Sequence, residues 1–496
     1  MMRSKVGSCL MTMALLALCT TTVRAQQTQQ TGAQPGATVL TAASPDPQAG
    51  TDQTPVDNST PPAGQVSTPT QTMTPISGVQ VLAPSFGGDS HDFVLPALGC
   101  ADHADTNPTG YEKHASLFSE TTCAASLTLQ RVGRNTQFNL EDAGGAFFFA
   151  PNTSTKTDPN AKQYGAFDEL GVSAEITGRR WKWILGDQGM YLPESPMGFP
   201  GFAGVASYGA GMGGSGTSTA PAFNSAFQPN QGIYSGLTSR VSDLAETEVQ
   251  YIINARSTVT ASGMFGTLQS LSPGFLDDDS ATFMVGYNRF FGRGDVAALT
   301  YVESHYVFSG DNPGIATRGV SFLYGHTFSP KLSVQLSVAP MENVISEPQG
   351  GTLTRFFMST FDSLDYRDGR WDTQLRFQRG TTEGAGVLAG SARNTVQGSA
   401  GREFWRKFHA AFQASYSRNQ SITLASMGAT SYDYVQGGLN LSREFGPHIS
   451  MYLNYQAQRQ VSNAPICLNA NNCSTVFIQQ VLGAGFSWHA RALNVE

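Results

Sequence analysis

The sequence is poor in charge and, beyond its first 25 residues, has no long hydrophobic stretch. Only 14% of the 496 residues are charged, whereas soluble globular domains carry about 25%. No later apolar run approaches the roughly 20 residues that a membrane-spanning helix needs. These shortages argue against an ordinary soluble domain and against helical membrane spans. The 30 Lys and Arg residues form no stripe, so we predict no nucleic-acid partner.

The first 25 residues have the organisation of a secretory signal. Arg3 and Lys5 precede a short apolar core, and Val23-Arg24-Ala25 places small residues at the two positions that determine cleavage. We therefore predict a signal peptide over residues 1–25, with cleavage after Ala25. The run Leu16-Ala17-Leu18-Cys19 loosely resembles a lipoprotein box, which leaves lipidation as the alternative.

Residues 26–88 contain almost no aromatic side chains and are rich in Thr, Gln, Pro and Ala. Such a segment cannot bury enough apolar surface to offset the entropy lost on ordering. We therefore predict a disordered periplasmic linker over residues 26–88. A segment that binds the cell wall or a partner protein is the alternative, although no motif supports it.

Cysteine is scarce, with six residues in the whole chain, and two of them precede the predicted cleavage site. The other four are Cys100, Cys123, Cys467 and Cys473. An exported chain favours disulfides, and four cysteines allow three pairings. The polar loop between Cys467 and Cys473 favours a local pair, which leaves Cys100 to pair with Cys123. No His lies at ligand spacing from either pair, so we predict no metal site.

From about residue 89 onwards, apolar and polar side chains alternate in many short segments. In residues 447–459 the apolar face comprises Ile449, Met451, Leu453, Tyr455 and Ala457, and the polar face Ser450, Tyr452, Asn454, Gln456 and Gln458. Because a β-strand turns successive side chains to opposite sides, each such segment has one apolar and one polar face.

Short turns and long connections separate these segments alternately. Turns such as 291–295 and 445–447 use Gly, Pro and Asp, whereas connections such as 151–164 and 191–236 are long. An exported chain with this pattern is expected to close into an antiparallel transmembrane β-barrel over residues 89–496, with about 18 strands (16–18), short turns in the periplasm and loops outside. The first strand is predicted at 90–101, the second at 124–133 and the last at 475–490. The aromatic, glycine-rich connection 191–236 is expected to fold inward and constrict the channel, or to form an outer-surface lid or an adhesive patch.

The alternation also assigns side chains to the lipid or to the lumen. Leu375 is predicted to face lipid and Arg376 the lumen, because an Arg at the membrane midplane costs about 2–4 kcal/mol. The predicted lumen-lining residues are Gln335, Asp372, Gln374, Arg376, Gln378, His409, Gln413, Asn454 and Gln456.

A lumen lined by amides, hydroxyls and a few charges holds water, and about 18 strands leave an aqueous passage. We therefore predict a porin-like channel for passive diffusion of small polar solutes, with no enzymatic activity and no cofactor. A non-conducting structural or surface-interaction barrel is one alternative. A rim hydrolase is another, with Glu303 and His305 as its best residues, although no Gly-x-Ser-x-Gly motif occurs.

Three segments are similar to a known group of sequences. They are Trp181-Lys182-Trp183 through Pro196, Gly386-Val387-Leu388-Ala389-Gly390, and the final run from Gly485 to Arg491. Over most of residues 90–496 the chain resembles an uncharacterised family of predicted outer-membrane barrels from acidobacteria. The resemblance implies the barrel fold and the bacterial outer membrane, but no activity. That location predicts outer-membrane lipid, lipopolysaccharide and the barrel assembly machinery as partners.

Overall fold

The structure is a computed structural model. It describes residues 92–106, 117–150, 164–192, 240–271, 275–292, 294–346, 350–368, 371–382, 388–404, 408–423, 431–446, 448–469, 472–490 and 493–494. The predicted signal peptide and linker, and nearly all of the connection 191–236, lie outside these residues.

Eighteen long β-strands account for most of the described chain. In order they are β1 Phe93–Asp105, β2 Phe118–Val132, β3 Thr136–Ala150, β4 Tyr164–Thr177, β5 Trp181–Leu192, β6 Arg240–Asn254, β7 Ser257–Ser270, β8 Asp278–Phe290, β9 Asp295–Phe308, β10 Gly314–Ser329, β11 Leu332–Ser346, β12 Thr352–Asp368, β13 Trp371–Thr382, β14 Ser391–Phe404, β15 Phe408–Ser421, β16 Ser431–Glu444, β17 Ile449–Asn469 and β18 Asn472–His489. A two-residue strand, β19 Leu493–Asn494, follows them.

The sheet closes on itself. Each long strand pairs antiparallel with its neighbours in the chain, and β1 also pairs with β18, with Leu98 opposite Trp488. The short strand β19 continues this seam, since Leu493 lies opposite Val94. Among the described strands, closure leaves no long one with an unpaired edge. The predicted closed antiparallel barrel and its count of 18 strands are therefore confirmed.

Tight hairpins connect the strands at one end of the barrel. The amide of Gly178 donates to the carbonyl of Trp181 at 2.7 Å between β4 and β5, and the amide of Phe445 donates to Ile449 at 3.0 Å between β16 and β17. A Cβ on Gly178 would collide with the Trp181 ring, so the first of these turns requires glycine. We call this the short-turn end and the opposite one the long-loop end.

The outer surface of the barrel is apolar. Leu375, Leu453 and Phe486 are 50%, 45% and 44% exposed, and their alternate neighbours are less exposed. Trp181, Trp371 and Trp488 lie near the short-turn end and are also exposed, as expected for an aromatic girdle at a membrane interface. Within the described residues, no helix is long and apolar enough to cross a membrane.

The first hairpin differs from the sequence prediction in its boundaries. β1 runs to Asp105 rather than to residue 101, and β2 begins at Phe118 rather than at residue 124. The ladder continues without interruption to the pair Asp105–Phe118. Polar side chains towards the long-loop end favour a loop in the sequence prediction, but main-chain hydrogen bonds extend the strands through them.

The disulfide between Cys100 and Cys123 is present, as predicted. The two residues lie directly opposite each other within β1 and β2, so the bond links two strands instead of closing a loop. They share the parity of the exposed residues Leu98 and Leu127, which places the bond on the outer surface. Cys467 and Cys473 are also opposite each other, in β17 and β18; their side chains lie outside the described part, so that disulfide stays a prediction.

Candidate functional site: the inner wall of the barrel

The inner wall consists of the side chains that alternate with the exposed apolar ones. Along β13, Leu375 is exposed and Arg376 is not, and the register places Arg376 opposite Ser363 and Gln397. The strand alternation puts all nine predicted lumen residues on this inner face, namely Gln335, Asp372, Gln374, Arg376, Gln378, His409, Gln413, Asn454 and Gln456. Their contact with a passing solute stays a prediction.

A charged band covers the inner faces of β12, β13 and β14. Arg367 forms an ion pair with Asp372 at 3.7 Å. Gln374 donates through Nε2 to Asp365 at 2.5 Å. Arg376 completes the band, and its Nε is buried without a hydrogen-bond partner. The Arg376 guanidinium is therefore only partly engaged by the protein, and a buried unpaired donor of this kind is unfavourable until it finds an acceptor.

A second band, on β16, β17, β18 and β1, is built from amides and phenols. The Tyr434 hydroxyl donates to Gln436 at 2.9 Å or to Gln458 at 2.5 Å. Gln458 then donates to Gln479, which donates to Asp105 at 2.5 Å. This relay crosses the seam where the barrel closes. It connects the inner faces of four neighbouring strands at one level of the barrel.

A third band, on β4, β5 and β6, is acidic. Lys182 pairs with Glu175 at 2.9 Å, and Glu246 and Glu248 are buried on the inner face of β6. A Cβ at Gly186 would meet the Glu246 side chain, so the absent side chain leaves space for that carboxylate. In the described residues the acidic band lies roughly opposite the charged band of β12 to β14, because about half of the 18 strands separate them.

Exposure differs between regions of the inner wall. Inward side chains of β6 to β9 are almost all buried, whereas most of those on β12 to β15 are half-exposed. Asp372, Gln374, Arg376 and Gln413 belong to the second group. The accessible part of the inner surface therefore lies along β12 to β15.

An apolar cluster lies at the long-loop end. It joins inward residues of β9, β10 and β11 to residues of three connections, and its members are Tyr306, Phe308, Ile315, Ile345, Ala389 and Ile422, with Leu276 packed against them. Leu388 beside it is only 1% exposed. Gly390 adopts a φ of 80°, and a Cβ there would collide with Ile315. The connection before β14 thus folds against the inner wall.

The residues considered for a rim hydrolase face the other way. His305 Nε2 lies 3.1 Å from Glu303 Oε1, and Tyr301 donates to the same carboxylate at 2.9 Å. All three share the outward parity of β9, and Arg318, across the strand from Glu303, pairs with Glu342 at 2.7 Å. This is an ion-pair network on the outer surface, and no serine hydroxyl bonds to His305 among the interactions described. No group of three or more His, Cys, Asp or Glu side chains positioned to bind a metal occurs in the described residues.

Sequence reasoning missed several inward residues. Asp105, Glu120 and Gln479 are fully buried on the inner wall, but the predicted strand boundaries left the first two in a loop. Arg393 and Tyr434 also point inward. The alternation rule already assigns Gln479, which lies in the predicted strand 475–490, to the inner face, and it assigns the other four once the strands are as long as observed.

No protein-family model and no curated protein matches the chain. Several solved structures are similar in shape. OccK2 (OpdF) of Pseudomonas aeruginosa is 10% identical, with 80% of this chain and 98% of that chain covered and a TM-score of 0.41. OccK9 (OpdG) of the same organism is 13% identical with the same coverage and TM-score, and a BenF-like porin from Pseudomonas fluorescens Pf-5 is 10% identical, with coverages of 82% and 99% and a TM-score of 0.40. The assignment of a closed barrel rests on the strand pairing itself.

Proposed function

We propose that the protein is a porin-like channel of the bacterial outer membrane, which lets small polar solutes diffuse passively. The observation that carries this proposal is the inversion of polarity across the wall. Leu375 and Leu364 are exposed outside, while Arg376 and Gln374 of the same sheet lie inside among half-exposed polar side chains. An apolar exterior suits hydrocarbon, and a polar inner surface suits water.

The outer-membrane location follows from the same features. The short turns at one end and the longer connections at the other match the asymmetry of bacterial barrels, with turns in the periplasm. The resemblance to acidobacterial barrel sequences supports this location and suggests a family, which we propose as the finer assignment. Outer-membrane lipid and lipopolysaccharide are then its surroundings, and the barrel assembly machinery inserts it.

Recording of single-channel currents from the refolded protein in planar bilayers tests the proposal. A barrel with a continuous aqueous path gives discrete current steps. Arg376→Ala should change the cation-to-anion preference of those steps, because it removes a positive charge from the accessible part of the inner wall. Leu364→Ala, on the outer face of the neighbouring strand, is the matched control and should leave the preference unchanged.

A non-conducting barrel is the second candidate. The apolar cluster around Ile315 and Ile422 favours it, since it packs side chains from three connections together at the long-loop end. The buried inner faces of β6 to β9 also favour a non-conducting barrel. A refolded, membrane-inserted protein that carries no current would establish this second candidate instead of the channel.

A further inference from the structure

A three-residue motif recurs where strands reach the short turns. The strands β8, β14 and β16 end in Arg289-Phe290-Phe291, Arg402-Glu403-Phe404 and Arg443-Glu444-Phe445. In each case an Arg precedes a Phe by two residues. Side chains two residues apart in an extended chain share a face, so every copy of the motif places a guanidinium beside an aromatic ring.

The guanidiniums stack on these rings. The Cζ atom of Arg402 lies 4.8 Å from the ring centres of both Phe404 and Trp371. Arg443 repeats the arrangement one hairpin later, at 4.8 Å from Phe408 and 4.7 Å from Phe445.

For both Arg402 and Arg443, one ring belongs to the same strand or to the turn after it. The other ring belongs to the strand paired with it. The third copy has one ring, with Arg289 at 5.6 Å from Phe291. These distances are those of cation–π pairs.

All three motifs face outward. Arg402 has the parity of the exposed Val396, Arg443 that of Leu441, and Arg289 that of Tyr287. Each motif lies at the short-turn edge of the apolar outer surface of its strand. The three guanidiniums therefore lie where the hydrocarbon ends and the head groups begin, a depth at which an outward Arg costs only about 0–1 kcal/mol.

No anionic partner of these three cations occurs in the part of the chain that the structure describes. In the described residues no carboxylate lies within ion-pair distance of Arg289, Arg402 or Arg443, and Nε of Arg402 is buried without a hydrogen-bond partner. Other outward cations are of two kinds: no ion pair is described for Arg131, Arg379 and Arg459, whereas three others are paired. Arg318 and Arg418 of the long-loop end lie 2.7 and 3.9 Å from Glu342 and Asp433, and His326 of β10, beside Phe328, lies 2.7 Å from Asp295.

We propose that the Arg-x-Phe motifs bind the phosphodiester groups of glycerophospholipids in the leaflet that surrounds the short turns. The rings cover one face of Arg289 and pack against Arg402 and Arg443 from two sides, which leaves the terminal N–H groups for an anion. A guanidinium edge matches two phosphate oxygens at once. A lipid can place that phosphate at the rim while its acyl chains cover the apolar wall above. This inference rests on the membrane location in the proposed function, but not on conduction.

Native mass spectrometry of the refolded barrel tests the inference. The probes are dioleoyl phosphatidylglycerol and a galactosyl diacylglycerol with the same chains but no phosphate. The double variant Arg402→Gln with Arg443→Gln should bind phosphatidylglycerol about tenfold more weakly, since two charge-assisted hydrogen-bonding groups are lost. It should bind the galactolipid as the wild type does. Arg418→Gln, the matched control with a paired guanidinium at the other end, should change neither affinity.

Two outcomes would overturn the lipid site. One is a double variant that binds phosphatidylglycerol as tightly as the wild type, and the other is an equal loss in Arg418→Gln. Heat-modifiable migration on gels verifies folding of each variant, and if the double variant does not fold, the single variants are judged by the same criterion. Conductance is recorded on the same preparations. A barrel that carries no current but binds lipid through these Arg residues would contradict the proposed channel and still support the lipid site.

Discussion

Leu375 and Arg376 are adjacent residues of β13 that face opposite media. Placing an Arg at the first position, or a Leu at the second, tests which face of the barrel wall meets lipid. Leu375 is 50% exposed and lies opposite Leu364 on the outer surface. It is four residues from Trp371 at the short-turn end. At about 3.3 Å per residue and a tilt of roughly 40°, this puts Leu375 roughly 10 Å from the aromatic girdle, near the middle of an apolar band about 25 Å tall.

The expected magnitudes follow from that depth. Leu375→Arg places a charge close to the midplane and should lower the free energy of unfolding by about 2–4 kcal/mol. Arg376→Leu changes a side chain on the polar face, where its buried Nε has no hydrogen-bond partner to lose. We therefore expect this second variant to keep its stability within about 1 kcal/mol, because a change on the lumen face does not place charge in lipid.

Folding into phospholipid vesicles under increasing urea, followed by heat-modifiable migration, measures both variants against the wild type. A folded Leu375→Arg protein of wild-type stability, together with an unstable Arg376→Leu protein, would mean that the register of β13 is shifted by one residue. Equal, small effects in both variants would mean that β13 does not face lipid at this depth, and would refute the barrel as a membrane-spanning wall.

Four further predictions concern other parts of the chain. N-terminal sequencing of the exported protein should begin after Ala25, and a start at Cys19 would show lipidation instead. Removal of residues 30–84 should leave heat-modifiable migration intact, because that composition offers no core; loss of the shift would make the segment part of the fold. Non-reducing peptide mapping should find Cys100 joined to Cys123, whereas a link from either of them to another cysteine would contradict the register of β1 and β2. Gly390→Ala should lower the urea midpoint more than Gly350→Ala, because both glycines have positive φ but only the first would place a Cβ against Ile315; equal effects would show that the apolar cluster contributes nothing at that point.

The strand pattern of the second half of the barrel could be predicted closely from the sequence. The predicted outward directions of Leu375, Met451 and Leu453 agree with their exposed fractions. This succeeded because the period of two is a local property, and lipid exposure excludes polar residues from one face. The first hairpin was harder, since the outward residues Asp102 and Thr121, joined by a hydrogen bond of 2.5 Å, lack the apolar signal that marks a strand.

The sequence predicts which side chains point to the inner wall, but not which of them contact one another there. Gln374 and Gln378 were assigned inward from alternation, yet nothing local links Gln374 to Asp365 or Gln378 to Arg393. The relay from Tyr434 to Asp105 joins residues more than 300 positions apart. Such contacts depend on which strands become neighbours, and the residue pattern within one strand does not identify the strand with which it pairs.

The sequence by itself determined that this chain forms many two-faced strands, where most of them turn, and which face meets lipid. Those properties follow from alternation and turn chemistry, which act over a few residues. Only the tertiary structure decided that Leu98 lies opposite Trp488 at the seam, and that three separate connections meet in one apolar cluster. It also decided that Arg402 is held between Phe404 of its own strand and Trp371 of the preceding strand. These features depend on which strands become neighbours and in which register, and the seam in addition requires that the sheet close on itself.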